Sequence, residues 1–237
     1  MPTKKMDAKR AAKARRMEIE AAKRAAHAAD RRRSWLIAGA AVTVGILLIV
    51  AVELPRWTAP TPIEKRSLSQ LGVSVAKAAC SADTARKVQA KGNLAATDKA
   101  GKATTIKYTE VPPTSGKSYA TGAAAGTHYY AAGQGPTPET LVRNLQNGYT
   151  VLWYTASLPK NQLAQLSYVG DAGAKVALSE KFIVTPWDIK LGKFPAGKNV
   201  AIAAWGSVQF CGGVNGKTVQ TFINNHPPSK APTPTGA

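Results

Sequence analysis

The sequence predicts an α+β fold, in which short helices pack on the mixed or antiparallel sheet of a single small domain. Three segments are apolar almost throughout and therefore predict buried strands, at residues 149–155, 181–187 and 200–206. Strands and helices do not alternate as regular βαβ units, which favours α+β over a parallel α/β sheet. We expect the folded domain to cover residues 68–226.

Helices are predicted around these strands. Thr137 and Pro138 are typical of a helix start, because threonine caps free amides and proline fits the first turn, and Gly148 is typical of a helix end. Apolar spacing predicts the other helices over 67–79, from Leu158–Pro159 to Leu166, and around Val219, Phe222 and Ile223. A short strand is predicted at 106–109, and Asn215–Gly216 is interpreted as a turn.

A membrane-spanning helix is predicted at residues 35–54, preceded by a basic helix. Residues 34–52 contain no charge and no proline, and an apolar run of about 18 or more residues can cross the hydrocarbon core. Trp35 and Trp57 flank the run, as membrane-interface anchors do. Residues 31–33 are arginines, so the positive-inside rule predicts a cytoplasmic N-terminus and an extracytoplasmic domain.

This topology divides the chain into five parts. Residues 1–34 predict a basic cytoplasmic helical segment, either a topology signal lying against anionic lipid heads or a binding segment for nucleic acid or a cytoplasmic partner. After the helix at 35–54, residues 55–67 predict a proline-containing stalk, 68–226 the extracytoplasmic domain and 227–237 a disordered proline-rich tail. No small-x-small cleavage site follows the apolar run. We therefore expect an uncleaved signal anchor and a single-pass protein of the inner cell membrane.

The formal net charge of +19 favours anionic partners. With the domain outside the cytoplasm, the expected partners are the lipid bilayer, through the transmembrane helix, and an envelope protein or an anionic polymer, and nucleic acid is not expected. Two interpretations are open for a group of lysines in the second half of the chain: they form a positive binding surface, or they serve only solubility. These are Lys175, Lys181, Lys190, Lys193 and Lys198.

The two cysteines, Cys80 and Cys211, both fall in the predicted extracytoplasmic part. In an oxidising compartment an isolated pair favours a structural disulfide, here between the start of the domain and the end of the 200–206 strand. The alternatives are a thiol redox pair, which usually has CxxC spacing, and metal ligands, which would need further partners.

The segment from Val111 to Tyr130, VPPTSGKSYATGAAAGTHYY, predicts a stiff corner that ends in an aromatic–histidine cluster. Pro112 and Pro113 fix the backbone, and Gly116 accepts a positive φ. Residues of this candidate functional loop and its surroundings are Pro112, Pro113, Thr114, Ser115, Gly116, Ser118, Tyr119, His128, Tyr129, Arg143 and Asn147.

Several separated motifs resemble those of a mainly bacterial family that is classed only as a domain of unknown function (number 3105) and is common in actinobacterial membrane proteins. These motifs are PPTSGKSY, GTHYY, LVRNLQNGYTVLWY, SLPKNQLAQL, VTPW, AIAAWG and APTPTGA. The resemblance covers about residues 68 to 237 and implies a membrane-anchored extracytoplasmic domain without an assigned activity.

The chain departs from that family's pattern where the family commonly has histidines and a carboxylate. Ser118 replaces one histidine, and Arg143, Gln146 and Asn147 replace a histidine, a glutamate and a histidine. Arginine and amide side chains do not titrate near neutral pH. The resemblance therefore implies that any metal-binding or proton-transferring role of relatives is lost here.

The sequence contains no enzyme signature. His128 is either a general base or metal ligand, or a hydrogen-bonded histidine beside Tyr129 and Tyr130, and Ser115 lacks a GxSxG elbow. We expect a non-catalytic binding or assembly module of the cell envelope that holds no cofactor and no metal. The alternatives are a metal-dependent or hydrolytic enzyme, and a small-ligand domain that uses the PPTSG loop. Aromatic residues that would line a ligand pocket are Tyr119, Tyr129, Tyr130, Trp153 and Trp187.

Overall fold

The computed structural model describes residues 61–236 and, near the N-terminus, residues 15, 17, 18, 20, 21, 23 and 24, which are helical and exposed. The predicted transmembrane helix at 35–54, its anchors Trp35 and Trp57, and stalk residues 55–60 lie outside the described residues. Within the described ranges, no helix has the length and apolarity needed to cross a membrane. The folded unit begins at Thr61, seven residues before the predicted boundary.

The strands of residues 61–236 form two sheets. Their bounds are β1 Thr84–Ala85, β2 Gly92–Leu94, β3 Lys117–Tyr119, β4 Thr150–Tyr154, β5 Phe182–Pro186, β6 Val200–Ala204 and β7 Ser207–Cys211. A five-stranded sheet has the order β1-β7-β6-β4-β5, and β2 and β3 form a separate parallel pair. Only β4 and β5 run parallel in the larger sheet, so the prediction of an α+β fold with a mixed sheet is confirmed.

Short helices cover both faces of the larger sheet. The α-helices after residue 61 are α1 Val75–Ala78, α2 Pro138–Gln146, α3 Lys160–Leu163, α4 Leu166–Val176 and α5 Gly216–Asn225. On one face, apolar residues of α4 and α5, such as Val169 and Phe222, are buried in one cluster with Leu152 of β4. On the other face, Leu141 of α2 is buried in a cluster with Trp153 of β4. Coverage of both faces of the sheet explains why β4, β5 and β6 are apolar almost throughout.

Local sequence signals account for the helix ends. The predicted cap of α2 is confirmed, since Thr140 N donates to Thr137 Oγ1 at 3.4 Å, and Gly148 follows the helix with φ +87°. The interpretation of Asn215–Gly216 as a turn is wrong. Asn215 caps α5, because its Oδ1 accepts a hydrogen bond from Thr218 N at 2.8 Å.

Two predicted elements differ from the structure because long-range contacts override local spacing. The helix predicted over 67–79 is split into a 3₁₀ turn at Leu68–Gln70 and α1. Gly72 lies between them with φ +84°, and Val73 N donates to Val214 O at 2.8 Å. Residues 106–109 form no strand, and Ile106 N donates instead to the Glu139 carboxylate at 2.9 Å.

The disulfide is confirmed and the chain end differs from its prediction. Cys80 and Cys211 are bonded, and Cys211 ends β7, a strand that follows the predicted 200–206 strand and was missed. Residues 227–236, predicted as part of a disordered tail, lie against the domain. Lys181 Nζ donates to the carbonyls of Pro234 at 2.8 Å and Gly236 at 3.0 Å.

Candidate functional site

The PPTSG corner at residues 112–116 is buried, and its Val111–Pro112 peptide bond is cis. Its two hydroxyl groups are already hydrogen-bonded. Thr114 Oγ1 donates to Glu110 Oε2 at 2.9 Å, and Ser115 Oγ accepts from Gln89 N at 2.9 Å. Both side chains are 0% exposed, so neither hydroxyl faces solvent as a nucleophile would. These are the contacts of a scaffold that orients the following strand, β3.

Ser118, Arg143, Gln146 and Asn147 are the four positions at which the resemblance implies replaced titratable residues, and the first three come together between α2 and β3. Arg143 Nη1 donates to Gln146 Oε1 at 3.2 Å and to Asn93 Oδ1 at 3.3 Å. Gln146 Nε2 donates to Gly116 O at 3.0 Å, and Asn93 lies opposite Ser118 in the β2–β3 register. The guanidinium, amide and hydroxyl groups of these residues do not titrate near neutral pH, so the residues themselves can bind through hydrogen bonds but not exchange protons there.

Asn147, the fourth position, lies at the end of α2 under the chain's last residues. Its side-chain Oδ1 accepts a hydrogen bond from Thr233 Oγ1 at 2.9 Å. In the described part of the chain, no group of three or more His, Cys, Asp or Glu side chains is placed to hold a metal ion.

The tyrosines near the corner act as hydrogen-bond donors. Tyr119 OH donates to Thr104 O at 2.6 Å, and Tyr108 OH donates to Lys117 O at 2.8 Å. Burial, with a smaller contribution from the charge of Glu139, raises the pKa of both phenols. They therefore remain protonated near neutral pH.

The histidine predicted to lie in an aromatic cluster is hydrogen-bonded to the main chain. His128 Nδ1 lies 3.1 Å from Phe182 O, and its Nε2 lies 3.6 Å from the exposed carboxylate of Glu180. The ring of neighbouring Tyr129 stacks on Tyr154 with centroids 6.5 Å apart. The sequence reasoning missed Glu180, because 52 residues separate it from His128.

A second histidine pair was also missed. His226 Nε2 lies 2.6 Å from Asp83 Oδ2, and its ring packs on Phe222. The contact joins the segment before β1 to the end of α5, across 143 residues. No local pattern in the sequence indicates it.

A concave site with largely apolar walls lies elsewhere, outside the carboxyl ends of the parallel strands β4 and β5. We call it the aromatic cleft; it measures about 480 Å³ and its walls include Pro136, Pro138, Trp153, Leu163, Trp187 and Leu191. Crevices at the carboxyl ends of parallel strands are common ligand sites. Of the five aromatic residues predicted to line a pocket, Trp153 and Trp187 line this cleft, and Tyr119, Tyr129 and Tyr130 do not.

Two indole rings meet edge to face at the cleft. The centroids of Trp153 and Trp187 are 5.1 Å apart, with planes at 90°. Trp187 Nε1 donates to Gly192 O at 2.8 Å, whereas the buried Trp153 Nε1 has no hydrogen-bond partner among the described residues. A buried donor without a partner costs free energy, so this indole N–H is a local cost to the stability of the domain.

The neighbouring strand carries a second buried polar atom of the same kind. Thr185 lies opposite Trp153 in the β4–β5 register, and its Oγ1 also has no hydrogen-bond partner in the part of the chain that the structure describes. Asp188, at the end of β5, adds an exposed carboxylate to the cleft lining. Thr185 itself does not line the cleft, whose walls are mainly apolar with few polar side chains such as Asp188, as in most small-ligand sites.

Comparison with known proteins identifies the family. The model of a family described as protein of unknown function (DUF3105) matches residues 99–237. No curated protein and no solved structure matches the chain significantly. The match is narrower than the resemblance expected over 68–237, but it covers more than half of the chain. The chain therefore belongs to the DUF3105 family.

Proposed function

We propose that the domain is a non-catalytic binding module of the cell envelope and that the aromatic cleft holds its ligand. The observation that carries the proposal is the cleft itself, about 480 Å³ at the carboxyl ends of β4 and β5. The PPTSG corner supports this choice indirectly, because its hydroxyls are buried and hydrogen-bonded within the domain.

The chemistry of the cleft indicates the class of ligand. Its walls of proline and leucine suit an apolar ring or a short chain. Asp188 offers a carboxylate at the lining, which favours an amine or hydroxyl group on the ligand. We expect a ring-bearing small molecule with one hydrogen-bond-donating end.

The predicted topology supports the envelope location. A helix at 35–54 would anchor the protein in the inner membrane with the domain outside the cytoplasm. The Cys80–Cys211 disulfide is consistent with this placement, since such bonds persist in oxidising compartments. The bilayer is then the first partner, and the cleft faces ligands of the envelope.

Filling the cleft tests the proposal. Ala156 is exposed and lies in the cleft lining, so Ala156→Trp should occupy the space with little cost to folding. We expect the affinity for phenethylamine, a soluble ring with an amine end, to fall by about tenfold or more, which corresponds to about 1.4 kcal/mol of lost ring burial. Saturation-transfer NMR on the full chain measures the dissociation constant.

The matched control is Ala124→Trp, which places the same side chain at an exposed position outside the cleft lining. This variant should bind phenethylamine as the wild type does. Equal affinity of the filled variant and the wild type, or no saturable binding by the wild type, would contradict the proposal.

A further inference from the structure

Positive charge is denser along one segment of the domain than in the rest of it. We call residues 84–119 the basic lobe; they include seven Lys and Arg side chains but two acidic ones, Asp98 and Glu110. All seven cations are exposed, at Arg86, Lys87, Lys91, Lys99, Lys102, Lys107 and Lys117. The sequence pointed instead to lysines near the C-terminus, of which Lys181 is buried and Lys198 donates to Ala79 O.

The backbone brings two pairs of these cations together. In the parallel pair of β2 and β3, Gly92 lies opposite Lys117, which brings Lys117 close to Lys91. A bridge between Thr97 and Ala103 closes a turn that contains Lys99 and Lys102. The lobe is joined to the larger sheet because β1 pairs with β7.

The two acidic side chains of the basic lobe are engaged in internal hydrogen bonds. Asp98 Oδ1 accepts from Ala100 N at 2.8 Å and from Lys102 N at 2.9 Å. Glu110 Oε2 accepts from Thr114 Oγ1 at 2.9 Å. Within the described ranges, none of the seven cations forms an ion pair with a carboxylate. Their charges are therefore available to an external anion.

We propose that the basic lobe binds a linear phosphate polymer of the cell envelope, a function separate from ligand binding in the aromatic cleft. Six of the seven cations are lysines, which contact phosphate as point charges and do not require a fixed bidentate geometry. Such a surface follows a flexible chain of repeated charges and gains affinity from released counterions.

The scarcity of exposed apolar side chains in the lobe favours a polymer over a lipid surface. Among the described residues of the lobe, Val88 is the one large apolar side chain that is strongly exposed. Peripheral membrane-binding segments usually combine cations with several aromatic or aliphatic side chains that enter the headgroup region. The basic lobe has the cations without that apolar set.

Charge removal at matched positions provides the test. The lobe variant replaces Lys87, Lys91, Lys99, Lys102 and Lys107 by Gln, and the control variant replaces the exposed Lys160, Lys175, Lys190, Lys193 and Lys217 by Gln. Both variants lose five positive charges, so they separate position from net charge. With poly(glycerol phosphate) as the probe, we expect the full chain's affinity at about 0.1 M salt to fall about tenfold or more in the lobe variant and about twofold or less in the control.

The wild type and both variants share the basic N-terminal segment, which could itself bind the polymer. Lysine acetylation therefore serves to locate the contact on the chain. Polymer should slow acetylation of the five lobe lysines of the wild type but not of the five control lysines, and high salt should abolish the protection. Equal affinity of the two variants would overturn the proposal. Equal or stronger protection of the lobe by phosphatidylglycerol vesicles, or by duplex DNA, would overturn the assignment to an envelope polymer.

Discussion

Replacing both cysteines, as Cys80→Ala with Cys211→Ala, should lower the free energy of unfolding by about 2–4 kcal/mol. The disulfide spans 131 sequence positions and joins the segment after α1 to the end of β7. Without the disulfide the loop is open, so the unfolded chain has a higher conformational entropy and the folded state is relatively less stable. Urea unfolding of the variant and the wild type, followed by tryptophan fluorescence, measures the difference.

Reduction of the wild type by dithiothreitol is the control for the cysteine replacement. It should lower the urea midpoint by a similar amount, because it removes the same cross-link and leaves both side chains in place. A double variant as stable as the oxidised wild type would show that the loop closure contributes nothing measurable. If the unfolding free energy depends on urea concentration with the same slope in the variant and the wild type, the shifted midpoint reports a change in stability alone.

Replacing Lys181 by methionine should release the chain's last residues and destabilise the domain by about 1–3 kcal/mol. Lys181 Nζ donates to Asn147 O at 2.8 Å as well as to the two carbonyls near the chain end. Methionine has a similar length but no donor, so the carbonyls of Pro234 and Gly236 lose this hydrogen bond. Hydrogen exchange at Thr233 N, which donates to Gln146 O at 3.0 Å, should become faster.

The control for this substitution is Lys175→Met. Lys175 is exposed in α4, so its replacement should leave hydrogen exchange at Thr233 unchanged and alter stability by about 0.5 kcal/mol or less. Equal exchange rates at Thr233 in the Lys181 variant and the wild type would contradict the role assigned to the buried amine.

The same lysine should give the domain a pH dependence that the variant lacks. Burial lowers the pKa of Lys181 below its ordinary value of 10.5. Between the lowered pKa and 10.5, the unfolded chain binds more protons at this group, so stability rises with pH. The difference in unfolding free energy between wild type and Lys181→Met should therefore increase with pH across this window; a constant difference would contradict the assignment.

Much of the sheet and the helices α2, α3 and α5 could be predicted because their signals are local. The apolar runs at 149–155, 181–187 and 200–206 contain β4, β5 and β6, and the Thr137–Pro138 start gives α2. The missed elements depend on tertiary contacts. Gly170 and Gly173 weaken any local helix signal in α4, yet Gly173 lies close against the Phe182 ring and allows the helix to approach the sheet.

The candidate site was harder to predict from the sequence. The sequence predicts a stiff corner and candidate functional loop at Pro112 to Gly116 but not its burial, which depends on hydrogen bonds to distant residues such as Gln89 and Gly206. Trp153 and Trp187 were identified as pocket candidates. The proline walls of the aromatic cleft come from the loop before α2, the start of α2 and the end of β5, and no periodicity in the sequence indicates that these parts meet. The docked chain end was missed because the lysine that binds it lies about 50 residues earlier.

Localising the ligand on the domain provides the most direct test of the proposed function. Phenethylamine would be titrated into the full chain labelled with ¹⁵N, and the amide and indole signals would be followed. If phenethylamine binds in the aromatic cleft, we expect saturable chemical-shift changes of the Trp153 and Trp187 indole N–H signals. The amide signals of Ser115 and Ser118 should not change. Saturable shifts at Ser115 and Ser118, with both indole signals unmoved, would place binding at the PPTSG corner and contradict the account.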